Sequence, residues 1–475
     1  MSIGMESAPA VGLEERRLGA LLRAAHGRAR RLERPVLASA VLPVEARDPL
    51  ACFAAVPPGE RTLWSCPSEG YEMAAVGAAW RISGAGAARF AEVDRAWRAL
   101  CADALIDGAG DTGTGPLLLG GFAFDPLRPR TPLWGDFPAA LLTLPRYLVT
   151  RAGATARLTV NALIAPDAPP PDPERLLEPI VGLLDRASGE RRAPAAESPL
   201  AVEDALPEGA WRGIVAEAIG RMRRDGLEKV VLARACRVRA ARPFDRAAAL
   251  ARLREDYPGC FTFAFDHGAA CFLGATPERL VTLRHGTVWA TCLAGSIARG
   301  ATPEEDRRLG EALLASAKDR LEHAIVVRAL RDALADSCEH LTVPEAPTLL
   351  KVRNVQHLFT PVVGTAAPGL TALDLAARLH PTPAVGGAPR EAALALIREI
   401  ERLDRGWYAG PVGWLDARGD GEFAVALRSG LVRGAEASLF AGCGIVPDSD
   451  PEREDAESRL KLRPMLAALR NAAGC

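Results

Sequence analysis

Phe440-Ala-Gly-Cys-Gly-Ile-Val446, followed by Ser449-Asp-Pro-Glu-Arg-Glu454-Asp-Ala-Glu457-Ser-Arg-Leu-Lys461, reads as a strand that feeds a helix. The run 439–446 has strand composition interrupted by glycines. Ser449, Asp450 and Pro451 form a helix start signal and predict a closing helix over 451–470. Glu454, Glu457 and Lys461 fall at i, i+3 and i+7, on one face of it. Taken alone, that face is a solvated salt ladder. Behind a strand carrying Gly442 and Gly444 it has a second use. Those glycines let backbone approach a ligand closely and leave N–H groups to hold an anion. Carboxylates placed there call for a cation, and oxygen-only ligands on a helix suit Mg²⁺.

Outward from this stretch, the second half alternates strands with long helices. Helices are predicted at 211–225 and 390–403, and strands at 229–240, 271–273, 279–283, 410–415 and 422–431. Residues 302–337 read as one long helix, capped by Thr302 and Pro303, with Leu309, Leu313, Leu321, Ile325 and Leu330 as its apolar stripe. Hairpins without a regular βαβ repeat predict an α+β fold of antiparallel sheets packed together and flanked by helices. Upstream, helices are predicted at 13–31 and 89–105, and strands at 116–124 and 146–163. A helix at 174–186 follows, which Pro179 should kink or delay. The main boundary falls near 195–205, beside the polar, Pro-rich stretch 188–199, and divides residues 1–200 from 201–475. The first portion is expected to join the same core, because its strands are too apolar to stand as free edges.

Composition excludes several classes of function. The 475 residues are 49% hydrophobic and 25% charged, an ordinary globular balance with a net charge of −1. A protein that neutralises many phosphates carries a basic surplus, so no nucleic-acid partner is expected. No apolar run approaches the ~20 residues that span a bilayer, so no membrane partner is expected either. Residues 1–17 lack a signal-peptide h-region, which predicts a cytoplasmic protein. No obligatory protein partner is signalled. The ten cysteines form no C-x-x-C pair, which argues against a zinc site or a disulfide framework.

Only four of the 58 basic residues are lysines, Lys229, Lys318, Lys351 and Lys461. Arginine serves for charge almost everywhere, so each lysine invites its own explanation: lysine can lose its proton when desolvated and arginine cannot. Lys229 opens a strand on the same face as Val231 and Ala233. It is either a snorkelling side chain or a buried base. Glu322 sits beside His323 at the edge of a helical stripe, either paired with Lys318 one turn earlier or turned toward a site. No second histidine stands at metal-ligand spacing, so zinc is set aside.

Nine motifs in order extend these hints. They are Lys229-Val-Val-Leu-Ala-Arg234, Gly274-Ala-Thr-Pro-Glu278, Leu293-Ala-Gly-Ser296, Lys318-Asp-Arg-Leu-Glu322-His323, Val355-Gln-His-Leu358, His380-Pro-Thr-Pro-Ala-Val-Gly-Gly387, Arg405-Gly-Trp-Tyr408, Val425-Ala-Leu-Arg-Ser429 and Phe440–Val446. Together they resemble the chorismate-utilising enzymes, and among these the isochorismate synthases most. Gly120-Gly-Phe-Ala-Phe-Asp125 extends the likeness into the first half.

The resemblance implies a role for each matched position. Lys229 would be the general base that activates water for attack at C2 of chorismate. Glu278 would be the general acid at the departing C4 hydroxyl, and His357 would lie near the ring hydroxyl. Glu322 and Glu457 would hold Mg²⁺, with Glu454 beside them or holding metal-bound water. Arg428, Tyr408, Gly442, Gly444 and Lys461 would grip the ring carboxylate. Ala294, Gly295, Ser296, Thr382, Ala384 and Val385 would complete the substrate site. Aminodeoxychorismate synthases place a nucleophilic lysine where Ala294 stands. Anthranilate synthases differ after the Glu-His pair and in the loop 381–390, and salicylate synthases differ in that same loop. The Arg-Gly-Trp-Tyr and Ala-Gly-Cys-Gly variants look more like menaquinone-pathway than siderophore-pathway isochorismate synthases.

Overall fold

Backbone pairing threads both halves of the chain through one ladder of strands. The computed structural model describes residues 8–108, 110–187 and 198–473, with side chains from residue 14 onward. The strand Lys229–Arg239 pairs with Glu436–Ile445, which pairs with Ser429–Arg433, then Ala270–Thr276, then Phe261–His267. There the ladder crosses into the first half, through Glu60–Cys66, Tyr71–Gly84, Ala140–Ala152 and Leu117–Phe122. It returns through Pro411–Asp416, Gly421–Val425, Arg279–Arg284, Thr287–Ala298 and Val355–Ala366. Each of these pairings is antiparallel. The first-half strands therefore stand between two groups of second-half strands. Helices flank this ladder, in the α+β arrangement read from the sequence.

Aromatic packing reinforces the junction. Trp134 lies 5.3 Å from Phe272 and 5.5 Å from Phe440, and Phe440 stacks at 5.3 Å on Tyr408. The indole N–H of Trp134 donates to the Asp404 carbonyl, and that of Trp407 to the Pro138 carbonyl. Both ends of these rings are satisfied, as buried tryptophans require.

Four sequence expectations need correcting. The long helix over 302–337 is two, Pro303–Ala315 and Ala317–Ala335. Ser316 adopts extended backbone between them, and its side chain caps the second helix by accepting from the Asp319 amide. The break turns Leu321 out of the stripe, leaving it 63% exposed. The strand over 422–431 splits into Gly421–Val425 and Ser429–Arg433, because Arg428 takes a positive φ of 48°. The strand over 146–163 is the hairpin Ala140–Ala152 and Thr155–Ile164, turning at Gly153. Pro179 does not delay its helix, which starts at Pro173 on the Asp172 cap. Most of 188–199 lies outside the described residues. Among the described residues, no helix is long and apolar enough to cross a membrane.

A protease site engineered between residues 188 and 197 tests the shared ladder. After cleavage the two fragments should stay together on size exclusion without denaturant. Residues 205–475 expressed alone should not fold, because their strands have lost the partners between them. A folded, fully active 205–475 fragment would contradict this.

Candidate active site

The strand Lys229–Arg239 builds one wall. Period-2 alternation turns Lys229, Val231 and Ala233 to the same side, and all three line one cavity. On the paired strand, Gly442 stands opposite Ala233 and Gly444 opposite Val231. A Cβ on Gly444 would collide with Glu322 Oε1 and lie 2.9 Å from Lys229 Cε. A larger residue here would push apart the lysine and glutamate that meet above it. Lys229 Nζ is 2.9 Å from Glu322 Oε1, with the lysine side chain 1% exposed. Glu322 therefore pairs across the cavity and not with Lys318 on its own helix.

The helix Pro451–Ala472 supplies the opposing carboxylates. The Asp450 side chain caps it by accepting from the Arg453 amide. Glu457 and Lys461 pair at 2.6 Å, and Lys461 Nζ donates to the Gly442 carbonyl at 3.0 Å. Glu454 is buried and pairs with Lys318 at 3.1 Å. Burial and the adjacent Glu457 raise the Glu454 carboxyl above its usual range. Burial would raise Glu457 as well, but Lys461 beside it prevails and holds it low. Burial likewise opposes the Lys461 ammonium, yet Glu457 keeps it above the ordinary lysine range. Ligand atoms of Glu454, Glu457 and Cys443 lie within 4.8 Å of one another; Glu322 lines the same cavity but is not within that group. A set dominated by carboxylate oxygens fits a hard divalent cation such as Mg²⁺.

The remaining walls carry the hydrogen-bonding groups. Gly295, at φ 77°, forms a bulge between Ala294 and Ser296 that interrupts the pairing with Val355–Ala366. Ser296 Oγ and His357 Nδ1 are 2.8 Å apart, while His357 Nε2 is buried with no protein partner. Burial, with Arg428 and Lys461 adding to it, lowers the His357 imidazole to about 3, so it is neutral. Glu278 is 5% exposed, and burial raises its carboxyl to about 7 against the pull of Lys229, Lys461 and Arg428. Burial pushes the Tyr408 phenol up to about 12. The strained backbone of Arg428 interrupts two strands at the cavity, which it lines.

Ala294, Ala384, Val385, Tyr408, Gly442, Gly444 and the other expected site residues all line this cavity, except Thr382. Thr382 lies in the turn beneath it, where its carbonyl accepts from the Val385 and Gly386 amides. Residues that the sequence did not assign also line the cavity: Lys318, Asp319 and Arg405. Arg405 is 3% exposed and pairs with Glu401, donating also to the Val231 and Val385 carbonyls, while Glu401 accepts from the Ala233 amide. This buried pair fastens the Lys229 strand to the Ala384–Val385 loop. Its signal was available, since Arg405 opens a quoted motif, and Lys318 was marked by lysine scarcity.

Similarity to known proteins fits this geometry. The family model "Chorismate binding enzyme" matches residues 21–470. The chain is 42% identical over 448 residues to the salicylate biosynthesis isochorismate synthase of Pseudomonas aeruginosa, covering 93% of this chain and 92% of that one. It is 37% identical over 458 residues to isochorismate synthase MenF of Bacillus subtilis, covering 94% and 96%. The solved structure of MenF, the menaquinone-specific isochorismate synthase from Escherichia coli, superposes with a TM-score of 0.77 at 26% identity, covering 94% of this chain and 99% of that one. With a family model spanning nearly the whole chain and relatives matched end to end, the protein belongs to the chorismate-binding enzyme family.

Proposed function

We propose that this chain is an isochorismate synthase that converts chorismate to isochorismate in the cytoplasm. The observation that carries the reading is one cavity holding a fully buried lysine, a glutamic acid raised to about 7 and a cluster of carboxylates. Water adds its oxygen at C2, the ring double bonds shift, and the C4 hydroxyl leaves as water. Lys229, in its neutral form, takes the proton from the attacking water. Glu278 gives a proton to the departing oxygen, for which a carboxyl titrating near neutrality is suited. His357 Nε2, buried without a partner, is available to a ring hydroxyl. Arg428, Tyr408, Lys461 and the backbone at Gly442 and Gly444 surround a ring carboxylate. Mg²⁺ held by Glu322 and Glu457, with Glu454 adjacent, would supply positive charge for that carboxylate.

Ala294 carries no nucleophile, so covalent amination at C2 has no agent there. The Arg-Gly-Trp-Tyr and Ala-Gly-Cys-Gly variants favour a menaquinone role, whereas the 42% relative is named for salicylate biosynthesis. Both names describe an isochorismate synthase. Incubating the protein with chorismate and Mg²⁺ and separating the products by chromatography tests the activity. Isochorismate is expected; salicylate, or anthranilate formed only with ammonia, would contradict the reading.

Lys229→Arg should lower kcat at least ~10²-fold, since arginine stays protonated and cannot accept a proton. Chorismate affinity, measured by calorimetry, should change far less, and a variant within threefold of wild-type kcat would place the base elsewhere.

The Glu278 prediction has a definite sign. Its carboxyl sits at about 7 in the folded protein, above the ordinary carboxylate value, so the acid form is present below that pH and lost above it. The turnover profile should fall as pH rises through about 7. Glu278→Gln should remove most activity over the whole range.

A further inference from the structure

Three of the chain's four lysines each hold one carboxylate of the cluster: Lys229 on Glu322, Lys318 on Glu454 and Lys461 on Glu457. The resemblance accounts for the first and third. Lys318 stands in the first turn of the helix Ala317–Ala335, which Ser316 caps. A cation there opposes the helix macrodipole, so helix stability does not explain it. Glu454 does: its side chain is 3% exposed, and Glu457 sits beside it. A carboxylate as buried as Glu454, with the 34% exposed Glu457 beside it, needs a counter-ion to remain charged. The Lys318–Glu454 pair also joins the helix bearing Glu322 to the helix bearing Glu454 and Glu457.

The three lysines differ in one respect. The side chain of Lys229 is 1% exposed, that of Lys461 is 16% and that of Lys318 is 43%. A divalent cation bound among the carboxylates competes with all three lysines for them. Lys318 alone of these can rotate its charge into water at small cost.

We propose that Lys318 is the displaceable counter-ion of the carboxylate cluster, holding Glu454 in place until a divalent cation enters and setting how tightly that cation binds. This rests on the reading of Glu322, Glu454 and Glu457 as a cation site. Lys318 is a positioning residue, and its removal has an unusual consequence: the cluster becomes more negative, so the cation binds better. Damage to the site alone would do the opposite.

The test is calorimetric titration of MgCl₂ into the full-length protein, with melting followed in parallel. Lys318→Met and Lys318→Gln should each tighten Mg²⁺ binding about tenfold, the order expected from deleting one nearby charge. Both should melt lower than wild type without Mg²⁺ and gain more from adding it. Lys318→Arg, which keeps the charge, should bind as wild type does. If wild type takes up no Mg²⁺, or if Glu457→Gln leaves its uptake unchanged, the cation-site reading fails and the proposal with it. If uptake depends on Glu457 but is unchanged or weakened by Lys318→Met and Lys318→Gln, the proposal alone is overturned.

Discussion

The Lys229 side chain is 1% exposed, and its one close carboxylate contact among the described residues is Glu322 at 2.9 Å. Much of the architecture follows from that contact. The pair needs the start of one strand and the second turn of one helix to meet, and a Cβ on Gly444 beneath them would displace both side chains. With Lys229 fixed, Val231 and Ala233 are fixed on the same face by alternation. The Arg405–Glu401 pair then clamps that strand from the other side, through the Val231 carbonyl and the Ala233 amide. The Lys229 strand and its support are one hydrogen-bonded unit.

Electrostatics divides the cavity. Near the helix Pro451–Ala472, lysines and carboxylates alternate and compensate one another. At Glu278, burial outweighs three cations and keeps a proton near neutrality. A carboxyl raised toward neutrality at Glu278 and one held low at Glu457 thus coexist in one cavity, separated by how well each is paired. The first-half strands and Trp134 support this arrangement from behind, through the stack of Trp134 on Phe440 and of Phe440 on Tyr408.

The sequence was most legible where chemistry is local. The closing strand and helix, the Glu454–Glu457–Lys461 face and the glycines opposite it could be read from spacing alone. Lysine scarcity pointed to Lys229 and Lys461, and equally to Lys318, whose role depended on a partner 136 positions away in the chain. What was hidden depends on single caps and on long-range contacts. The break at Ser316 interrupts an unbroken helical pattern through a single capping hydroxyl. Arg428 leaves its strand against local propensity, since nothing in the run 422–431 announces a positive φ. Helical spacing left Glu322 between a pair with Lys318 and a turn toward a site, and only the fold shows it beside the buried Lys229. Thr382 matched a motif yet serves the turn, because a motif does not reveal which of its members face the cavity.

In the proposed reaction solvent water, and not the substrate's own hydroxyl, supplies the oxygen at C2. Running the reaction in ¹⁸O-labelled water and analysing isochorismate by mass spectrometry tests it directly. The account predicts one labelled oxygen per product molecule, located on the C2 hydroxyl. Product formed at full rate without label would mean that the C4 hydroxyl migrates within the substrate, leaving Lys229 no water to activate.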